Sequence, residues 1–205
     1  MKPNNDLKNR SIKEFDNLSS RYDYLNFFFS PFYNRIKIAV GNARGKKILS
    51  VGSGTATFEI DLARSFSDSQ ITCLDISSKM LDKAREKAKA IPNINFTLGD
   101  VENLPYEPGV FDIVVCSHSF HHYPDQVKAL FEIRRVLKQG GVLVLVDALK
   151  DTLLGKAWVY FIETILEPGV KHYTSSDLIK MLNQSGFKHV DLQKIILAYG
   201  LSKAS

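Results

Sequence analysis

The chain has 205 residues, of which 44% are hydrophobic and 24% are charged, and its formal net charge is +5. These values are typical of a soluble globular protein of one domain, and the scattered basic residues permit an anionic partner without requiring one. Two cysteines are too few for a disulfide framework, and no apolar stretch reaches the ~18 residues that a membrane span needs. No apolar core follows the positive charge at the N-terminus, so we expect no secretory signal, a cytoplasmic protein and no bound metal.

Residues 6–45 have apolar residues at helical spacing, and we expect helices there with an interruption at Ser30-Pro31. The aromatic residues of this region are Tyr22, Tyr24, Phe27, Phe28, Phe29, Phe32 and Tyr33. So many aromatic side chains must be buried against another surface, and three explanations are open. They pack onto a sheet, they form a lid over a ligand, or they form a membrane or dimer face.

A strand-like run over 47–51 leads into two glycines, Gly52 and Gly54, and then into a helical pattern. Gly52 lets the chain turn sharply, and Gly54 lets the backbone come close to a ligand. Thr55 is suited to cap the helix, whose free N–H groups would face the ligand. An ordinary turn between a strand and a helix explains the same residues, so this motif alone is a weak signal.

A second strand, 70–75, ends at Asp75, and Ser77 is suited to cap the helix that follows. Asp75 lies about 20 residues past the glycine turn, where a carboxylate can accept hydrogen bonds from both hydroxyls of a ribose. An acid that only stabilises the start of a helix is the alternative. A third strand, 94–98, ends next to Asp100, which could meet an exocyclic amine.

The fourth strand, 111–117, is a nearly continuous apolar run, as is typical of a strand buried on both faces of a parallel sheet. A helix is predicted from Asp125 to Lys138, stopping at Gly140-Gly141, and a fifth strand is predicted over 142–148. Strands that alternate with helices in this way favour an α/β fold with a doubly wound, mainly parallel sheet. Ligand sites are then expected at the carboxyl ends of the strands.

Residues 153–166 predict an amphipathic helix that ends near Pro168-Gly169. Core packing explains this helix best, and a substrate pocket or an association surface is the alternative. Thr174 is suited to cap a further helix. Two closing strands, about 190–197 and 199–204, are expected to pair as a hairpin at one edge of the sheet.

Five short segments, taken in this order and spacing, resemble the class I S-adenosylmethionine-dependent methyltransferases over residues 46–204. The segments are Val51-Gly52-Ser53-Gly54-Thr55, Leu74-Asp75-Ile76-Ser77, Gly99-Asp100-Val101-Glu102-Asn103-Leu104-Pro105, Phe111-Asp112-Ile113-Val114 with His121-His122-Tyr123-Pro124-Asp125, and Arg135-Val136-Leu137-Lys138-Gln139-Gly140-Gly141. The resemblance implies a Rossmann-like, seven-stranded sheet with an antiparallel C-terminal edge strand. It divides the chain into an N-terminal helical lid segment, 1–45, and a cofactor-binding methyltransferase domain, 46–205.

The cofactor that the resemblance implies is S-adenosyl-L-methionine. The cofactor-binding residues that it implies are Gly52, Ser53, Gly54, Asp75, Ile76, Asp100, Val101, Ser117 and His118. The glycine turn would line the methionine part, Asp75 would hold the ribose hydroxyls, and Asp100 with the Val101 backbone would meet the adenine. Ser117 and His118 would form the floor of the pocket near the sulfonium.

Two positions depart from the family pattern. Many members carry an acid where Ser50 stands and a third glycine where Ala56 stands. Ser50 can form a hydrogen bond but adds no negative charge near the ammonium group of the cofactor, and Ala56 is tolerable if its φ is negative. A non-catalytic S-adenosylmethionine-binding protein is therefore an alternative to an enzyme.

The segment Arg21-Tyr22-Asp23-Tyr24-Leu25-Asn26 resembles the tyrosine-aspartate segment of the quinone-ring C-methyltransferases, where it helps to close the cofactor site. The region after the fifth strand does not clearly follow those enzymes, so the resemblance does not imply their substrate. The aromatic lid and the helix that contains Trp158 predict a small, partly apolar methyl acceptor. We expect a monomer or a homodimer.

Methyl transfer from a sulfonium is an in-line displacement, so the protein must chiefly align the acceptor and exclude water. If the acceptor must lose a proton, His121 or His122 is the candidate base, because histidine titrates near neutrality. Tyr22 is a candidate to close over the cofactor. For each histidine, capping or packing against Tyr123 is the alternative.

Two other enzyme classes fit the sequence less well. A nicotinamide oxidoreductase would require a glycine where Thr57 stands. A nucleic-acid or protein methyltransferase would need a basic groove or an added recognition domain, for which this chain leaves little room. We therefore expect no nucleic-acid partner.

Overall fold

A computed structural model of the protein describes residues 3–167, 170–194 and 199–205. Its strands are β1 (Lys47–Val51), β2 (Gln70–Asp75), β3 (Ile94–Leu98), β4 (Phe111–Ser117), β5 (Leu137–Ala148), β6 (Val190–Lys194) and β7 (Tyr199–Ala204). Its α-helices are α1 (Pro3–Leu18), α2 (Tyr22–Val40), α3 (Thr57–Ser65), α4 (Ser78–Lys87), α5 (Gln126–Val136), α6 (Leu153–Phe161) and α7 (Ser175–Gln184). A single turn of 3₁₀-helix covers Phe120–His122, and a π-helical turn, Ile162–Leu166, continues α6.

The strands form one sheet in the order β3-β2-β1-β4-β5-β7-β6. The first five strands are parallel to their neighbours, and β7 is antiparallel to both β5 and β6. The predicted fold class, a doubly wound and mainly parallel seven-stranded sheet, is confirmed. The antiparallel strand lies one place inside the edge, and β6 forms the edge itself.

Two apolar cores lie on the two faces of the sheet. On β1, Leu49 belongs to one core, which includes Leu130 of α5, and Ile48 belongs to the other, which includes Ile36 of α2. Burial on both faces explains why β1 and β4 read as nearly continuous apolar runs. The two cysteines, Cys73 on β2 and Cys116 on β4, are free and fully buried, as expected.

The predicted interruption at Ser30-Pro31 is wrong, because α2 runs through Pro31 without ending. The loss of one backbone N–H is outweighed by the apolar face further along the helix, where Phe32 and Ile36 are buried. The break between the first two helices falls instead at 19–21, where the Ser19 hydroxyl donates to the Asp16 carbonyl.

The predicted boundary between α5 and β5 is also wrong. The helix ends at Val136 rather than Lys138, and the strand begins at Leu137 rather than at residue 142. Leu137 pairs with Phe111 on β4, and a register shift follows before the next pairs. Pairing with a neighbouring strand, which periodicity does not report, draws this segment into the sheet.

Most of α6 does not pack into the core, contrary to the preferred interpretation of residues 153–166. Val159 is fully buried, but Leu153 is 85% exposed and Trp158 is 43% exposed. Pro168-Gly169, where this helix was predicted to end, and residues 195–197 of the predicted sixth strand lie outside the described residues.

Two predicted helix caps are confirmed. The Ser77 hydroxyl accepts a hydrogen bond from the Met80 N–H, and Thr174 forms a capping box with Asp177. In the part of the chain that the structure describes, no helix is both long and apolar enough to span a membrane.

Candidate active site

A cleft opens at the carboxyl edge of the parallel strands. It lies where the strand order reverses between β1 and β4, which is the usual ligand site of a doubly wound sheet. Most of the predicted cofactor-binding residues line it: Gly52, Gly54, Asp75, Ile76, Asp100, Val101 and His118.

Two predicted residues do not line this cleft. The Ser53 N–H donates to the carbonyl of Leu74, which ties the glycine turn to the end of β2. The Ser117 hydroxyl lies 2.8 Å from Nδ1 of His118. Both serines therefore position neighbours that do line the cleft.

The glycine turn leaves no space for side chains. At Gly52 φ is 65°, and a Cβ there would lie 2.5 Å from the Cβ of Ser119. At Gly54 φ is 54°, and a Cβ would lie 3.4 Å from the ring of Tyr22. Backbone at Gly52 and Gly54 therefore forms the wall of the cleft, and Tyr22 lies against it.

Asp75 is 7% exposed and is held rigidly. Its Oδ2 accepts the Gly54 N–H at 2.7 Å, and its Oδ1 accepts the Ser77 N–H at 2.9 Å. Burial raises the pKa of this carboxyl, and the backbone donors oppose the rise. Because a carboxylate has about four acceptor positions, Asp75 still has capacity for the hydroxyls of a ligand.

Asp100 has a partner that the sequence did not predict. Nζ of Lys8 lies 2.6 Å from Oδ2 of Asp100 and 2.5 Å from Oε2 of the buried Glu102. Lys8 and Phe15 of α1 also line the cleft. Nothing in the local sequence pairs α1 with the end of β3, since Lys8 and Asp100 are 92 residues apart.

The start of α2 is anchored beside the glycine turn. Asp23 accepts a hydrogen bond from the Thr55 hydroxyl at 2.6 Å, and it forms an ion pair with Lys87 at 2.8 Å. Thr55 therefore does not cap α3 as predicted, and the residue before that helix is Ala56. Burial raises the pKa of Tyr22, so its phenol is neutral at ordinary pH and acts as a donor rather than a base.

Packing onto the sheet and a position over the cleft each account for part of the aromatic region. Phe32 is buried, and its ring packs edge-on against His118 with centroids 4.9 Å apart. Tyr22 lies over the glycine turn, whereas Tyr24 is 80% exposed. The side chains of residues 25–29 lie outside the described structure.

Ser50 has an acidic neighbour that the sequence analysis missed. Its hydroxyl donates to Oε1 of Glu59 at 2.6 Å, and Glu59 is 4% exposed. Burial raises the pKa of Glu59 to about 7, and the hydrogen bond from Ser50 offsets only part of the rise. A carboxyl from α3 thus lies beside the position at which many family members carry an acid. The sequence does contain a signal for this acid, because Glu59 lies on the face of a predicted helix that is expected to be buried.

Ala56 does not have the negative φ that would make an alanine tolerable at this position. Its φ is 55°, in the left-handed region, where an L residue with a Cβ is less stable than glycine. Ala56 is 1% exposed, and its methyl group belongs to one of the two cores. Packing of that methyl group offsets part of the backbone strain.

Of the two candidate bases, only His122 lines the main cleft. Its ring packs edge-on against Phe15, with centroids 4.7 Å apart. Burial and the neighbouring charge of His121 lower the pKa of His122 to about 3, so its imidazole is neutral. His118, also on the cleft, is neutral for the same main reason, since burial lowers its pKa to about 4.

His121 lies to the side of the main cleft. Burial opposes its positive charge, but the Asp147 carboxylate, 2.7 Å from Nδ1, and Glu167, 3.2 Å from Nε2, raise its pKa to about 10. A histidine that is already protonated at neutral pH cannot act as the base that was predicted for His121. No role was predicted for Asp147 from the sequence, although the strand-end rule that selected Asp75 applies to it equally.

Comparisons with known proteins agree with this geometry. The methyltransferase domain family matches residues 49–145. A demethylmenaquinone methyltransferase of Staphylococcus haemolyticus is 32% identical over 206 residues, which cover 95% of this chain and 85% of the relative. A second relative with that name, from Staphylococcus epidermidis, is 32% identical and covers 88% of this chain and 79% of the relative.

Solved structures agree in fold. A methyltransferase from Thermotoga maritima that depends on S-adenosylmethionine superposes with a TM-score of 0.78 at 18% identity, covering 95% of this chain and 98% of that chain. Another, from Aquifex aeolicus, gives a TM-score of 0.69 at 17% identity and covers 84% and 88%. At these identities the likeness establishes the architecture alone.

Proposed function

Because the chain belongs to the class I S-adenosylmethionine-dependent methyltransferases, near the quinone-ring C-methyltransferases, we propose that it methylates a ring carbon of a small, partly apolar quinol. The observation that carries the proposal is the convergence of three strand ends on one cleft. The glycine turn, Asp75 and Asp100 line that cleft together with His122. The named activity of the staphylococcal relatives supports a quinol acceptor.

The residues of the cleft fit S-adenosyl-L-methionine. Gly52 and Gly54 offer bare backbone, Asp75 offers a buried carboxylate for the ribose hydroxyls, and Ile76 and Val101 offer apolar contact for the adenine. When bound, the cofactor supplies a methyl group on a sulfonium, which is already an activated donor. The protein then has to hold the acceptor in line and keep water out.

The acceptor would lie against His122 and Phe15, whose rings are in edge-on contact with each other. Phe15 and Met80 give this side of the cleft an apolar surface. A new carbon–carbon bond forms at the ring, the carbon–sulfur bond breaks, and the ring hydrogen leaves as a proton. In this assignment α1 and the start of α2 act as the lid over residues 46–205, Tyr22 closes over the glycine turn, and His122 orients the ring.

The test has two steps. Calorimetry with S-adenosylmethionine, its demethylated product and NAD separates the cofactor classes, and binding of NAD alone would overturn the proposal. Transfer of a radiolabelled methyl group to a short-chain demethylnaphthoquinol is then measured. The oxidised quinone is the control, because only the reduced ring is electron-rich enough to attack the methyl group. Label must enter the reduced compound and not the oxidised one.

Ser50 and Ala56 favour one second candidate, a protein that binds the cofactor without catalysis. Cofactor binding without label transfer to any quinol or metabolite extract would support that candidate. Transfer of label to RNA or protein substrates would instead place the chain among the macromolecule methyltransferases.

A further inference from the structure

A second group of polar side chains lies beside the cleft, and methyl transfer does not require it. The residues come from the ends of β4 and β5 and from the segment after α6: His121, His122, Asp147, Glu167 and His172. The histidine and carboxylate side chains are largely buried, although Glu167 retains 32% exposure. Imidazole and carboxylate groups gathered in this way are the ligands that transition metals prefer.

Three of these side chains converge on one point. Oε2 of Glu167 lies 3.2 Å from Nε2 of His121 and 3.5 Å from Nε2 of His122. Tetrahedral ligands at the usual zinc distances of about 2.0–2.1 Å are separated by about 3.4 Å. We propose that His121, His122 and Glu167 hold a divalent transition-metal ion of the zinc type beside the acceptor side of the cleft.

His121 is oriented for this role by Asp147. Oδ1 of Asp147 accepts the Nδ1–H of His121 at 2.7 Å, and Oδ2 accepts the backbone N–H of the same residue at 3.0 Å. A bound metal would replace the second proton of His121, at Nε2, while the proton on Nδ1 stays bonded to Asp147. Most metal-binding histidines are fixed by such a carboxylate, which sets the tautomer and the direction of the ring.

The surroundings suit a dication. Glu167 and Asp147 supply two negative charges, which balance the ion in a largely buried site. The His172 ring stacks on His121 with centroids 4.4 Å apart, and its side chain is 1% exposed. Nδ1 of His172 lies 3.4 Å from Oε1 of Glu163, which also accepts the His172 backbone N–H at 2.9 Å. An ion pair between His121 and Glu167 alone would not explain why His122 also faces Glu167.

The proposed site is accessible. A second cleft, of about 440 Å³, is lined by His121 and His122, and His122 also lines the main cleft. Three protein ligands leave a fourth position for water or for an oxygen of the acceptor. Only this last use of the site rests on the proposed function, and metal binding itself does not.

The test uses the full, untagged chain, stripped with a chelator and free of cofactor and acceptor. Equilibrium dialysis with Zn²⁺ is expected to give one bound ion per chain, and Co²⁺ is expected to give the intense visible bands of a four-coordinate site. Glu167→Gln and His122→Asn should each weaken the binding of Zn²⁺ by more than about 100-fold, since loss of an outer-shell partner alone costs about 10- to 100-fold.

Two matched variants are the controls. Glu86→Gln makes the same change on a carboxylate that pairs with Lys83 on α4, and His189→Asn removes an exposed histidine elsewhere. Both should bind one Zn²⁺ with unchanged affinity. Because Glu167 is partly exposed, its variant should keep its circular dichroism spectrum. The proposal is overturned if the stripped chain binds less than one ion, or if His189→Asn lowers the affinity as much as His122→Asn. Neither result bears on methyl transfer, which is measured separately.

Discussion

The ammonium group of Lys8, on α1, lies 2.6 Å from a carboxylate oxygen of Asp100, at the end of β3. The same ammonium group reaches Glu102, so one lysine joins two acids to the helix that covers the cleft. The contact joins α1 to the side of the cleft that we assign to adenine.

Replacing Lys8 by Met should loosen α1. The two carboxylates lose their counter-charge, and amide hydrogen exchange in residues 6–18 should become about fivefold faster, which corresponds to ~1 kcal/mol for a partly buried ion pair. Lys37→Met is the matched control, because its ion pair with Asp61 joins α2 to α3 away from the cleft. If both variants accelerated exchange in α1 equally, the ion pairs of Lys8 would not be what specifically holds α1 in place.

Replacing Asp75 by Ala should lower the affinity for S-adenosylmethionine by about 10- to 100-fold, or ~1.5–3 kcal/mol, the scale of lost hydrogen bonds to a charged group. Part of the loss would come from the Gly54 N–H, which Asp75 holds in place. Calorimetry measures the change. Asp112→Ala is the control, since Asp112 accepts from the Lys47 N–H at the other end of the sheet. Unchanged affinity in Asp75→Ala would rule out the ribose role.

Glu59 should make the protein less stable as the pH rises. Its pKa is raised from 4.5 to about 7 in the folded state, so the folded chain binds more protons between these two values. The contribution of Glu59 to stability is therefore complete below pH 4.5 and is lost as the pH rises through 7. The total is about 3 kcal/mol.

Glu59→Gln should remove this pH dependence. Urea unfolding at pH 5 to 8 measures it, and the variant should gain stability relative to the natural chain as the pH increases. Glu86→Gln, an exposed change on α4, is the control and should leave the pH profile as it is. The same pH dependence of stability in the natural chain and in Glu59→Gln would show that Glu59 ionises normally.

The exposed side of α6 should contribute little to stability. Leu153→Ala should change the free energy of unfolding by less than about 0.5 kcal/mol, because the side chain is 85% exposed. Val159→Ala, on the buried side of the same helix, should cost about 2 kcal/mol, because its side chain is fully buried. Denaturant unfolding compares the two, and a similar cost for both would mean that Leu153 is covered in solution.

Local signals in the sequence were sufficient for the strands that form the cleft. The bounds of β2, β3 and β4 follow from their apolar runs, and Ser77 marks the start of α4 because its cap involves residues only three positions apart. The same local signals failed at Leu137 and Pro31. There the outcome depends on a neighbouring strand or a buried helix face, which periodicity does not contain.

Partners distant in sequence were beyond prediction. No role was predicted for Lys8 or Glu59 from the sequence. Their roles depend on contacts with Asp100 and Ser50 that form only when the chain is folded. The local sequence does not distinguish a charged side chain that is exposed to water from one that pairs with a buried group in the folded protein.

The sequence by itself determined the order of strands and helices and the edge of the sheet at which a nucleotide-type ligand binds. Those features follow from glycines and acids placed where strands end, and the chain carries them locally. Only the tertiary structure decided which distant side chains share that edge. His121 and Glu167 are 46 residues apart, and their nitrogen and oxygen atoms come within 3.2 Å because the segment after α6 returns beside the end of β4, where the Lys171 N–H donates to the His121 carbonyl.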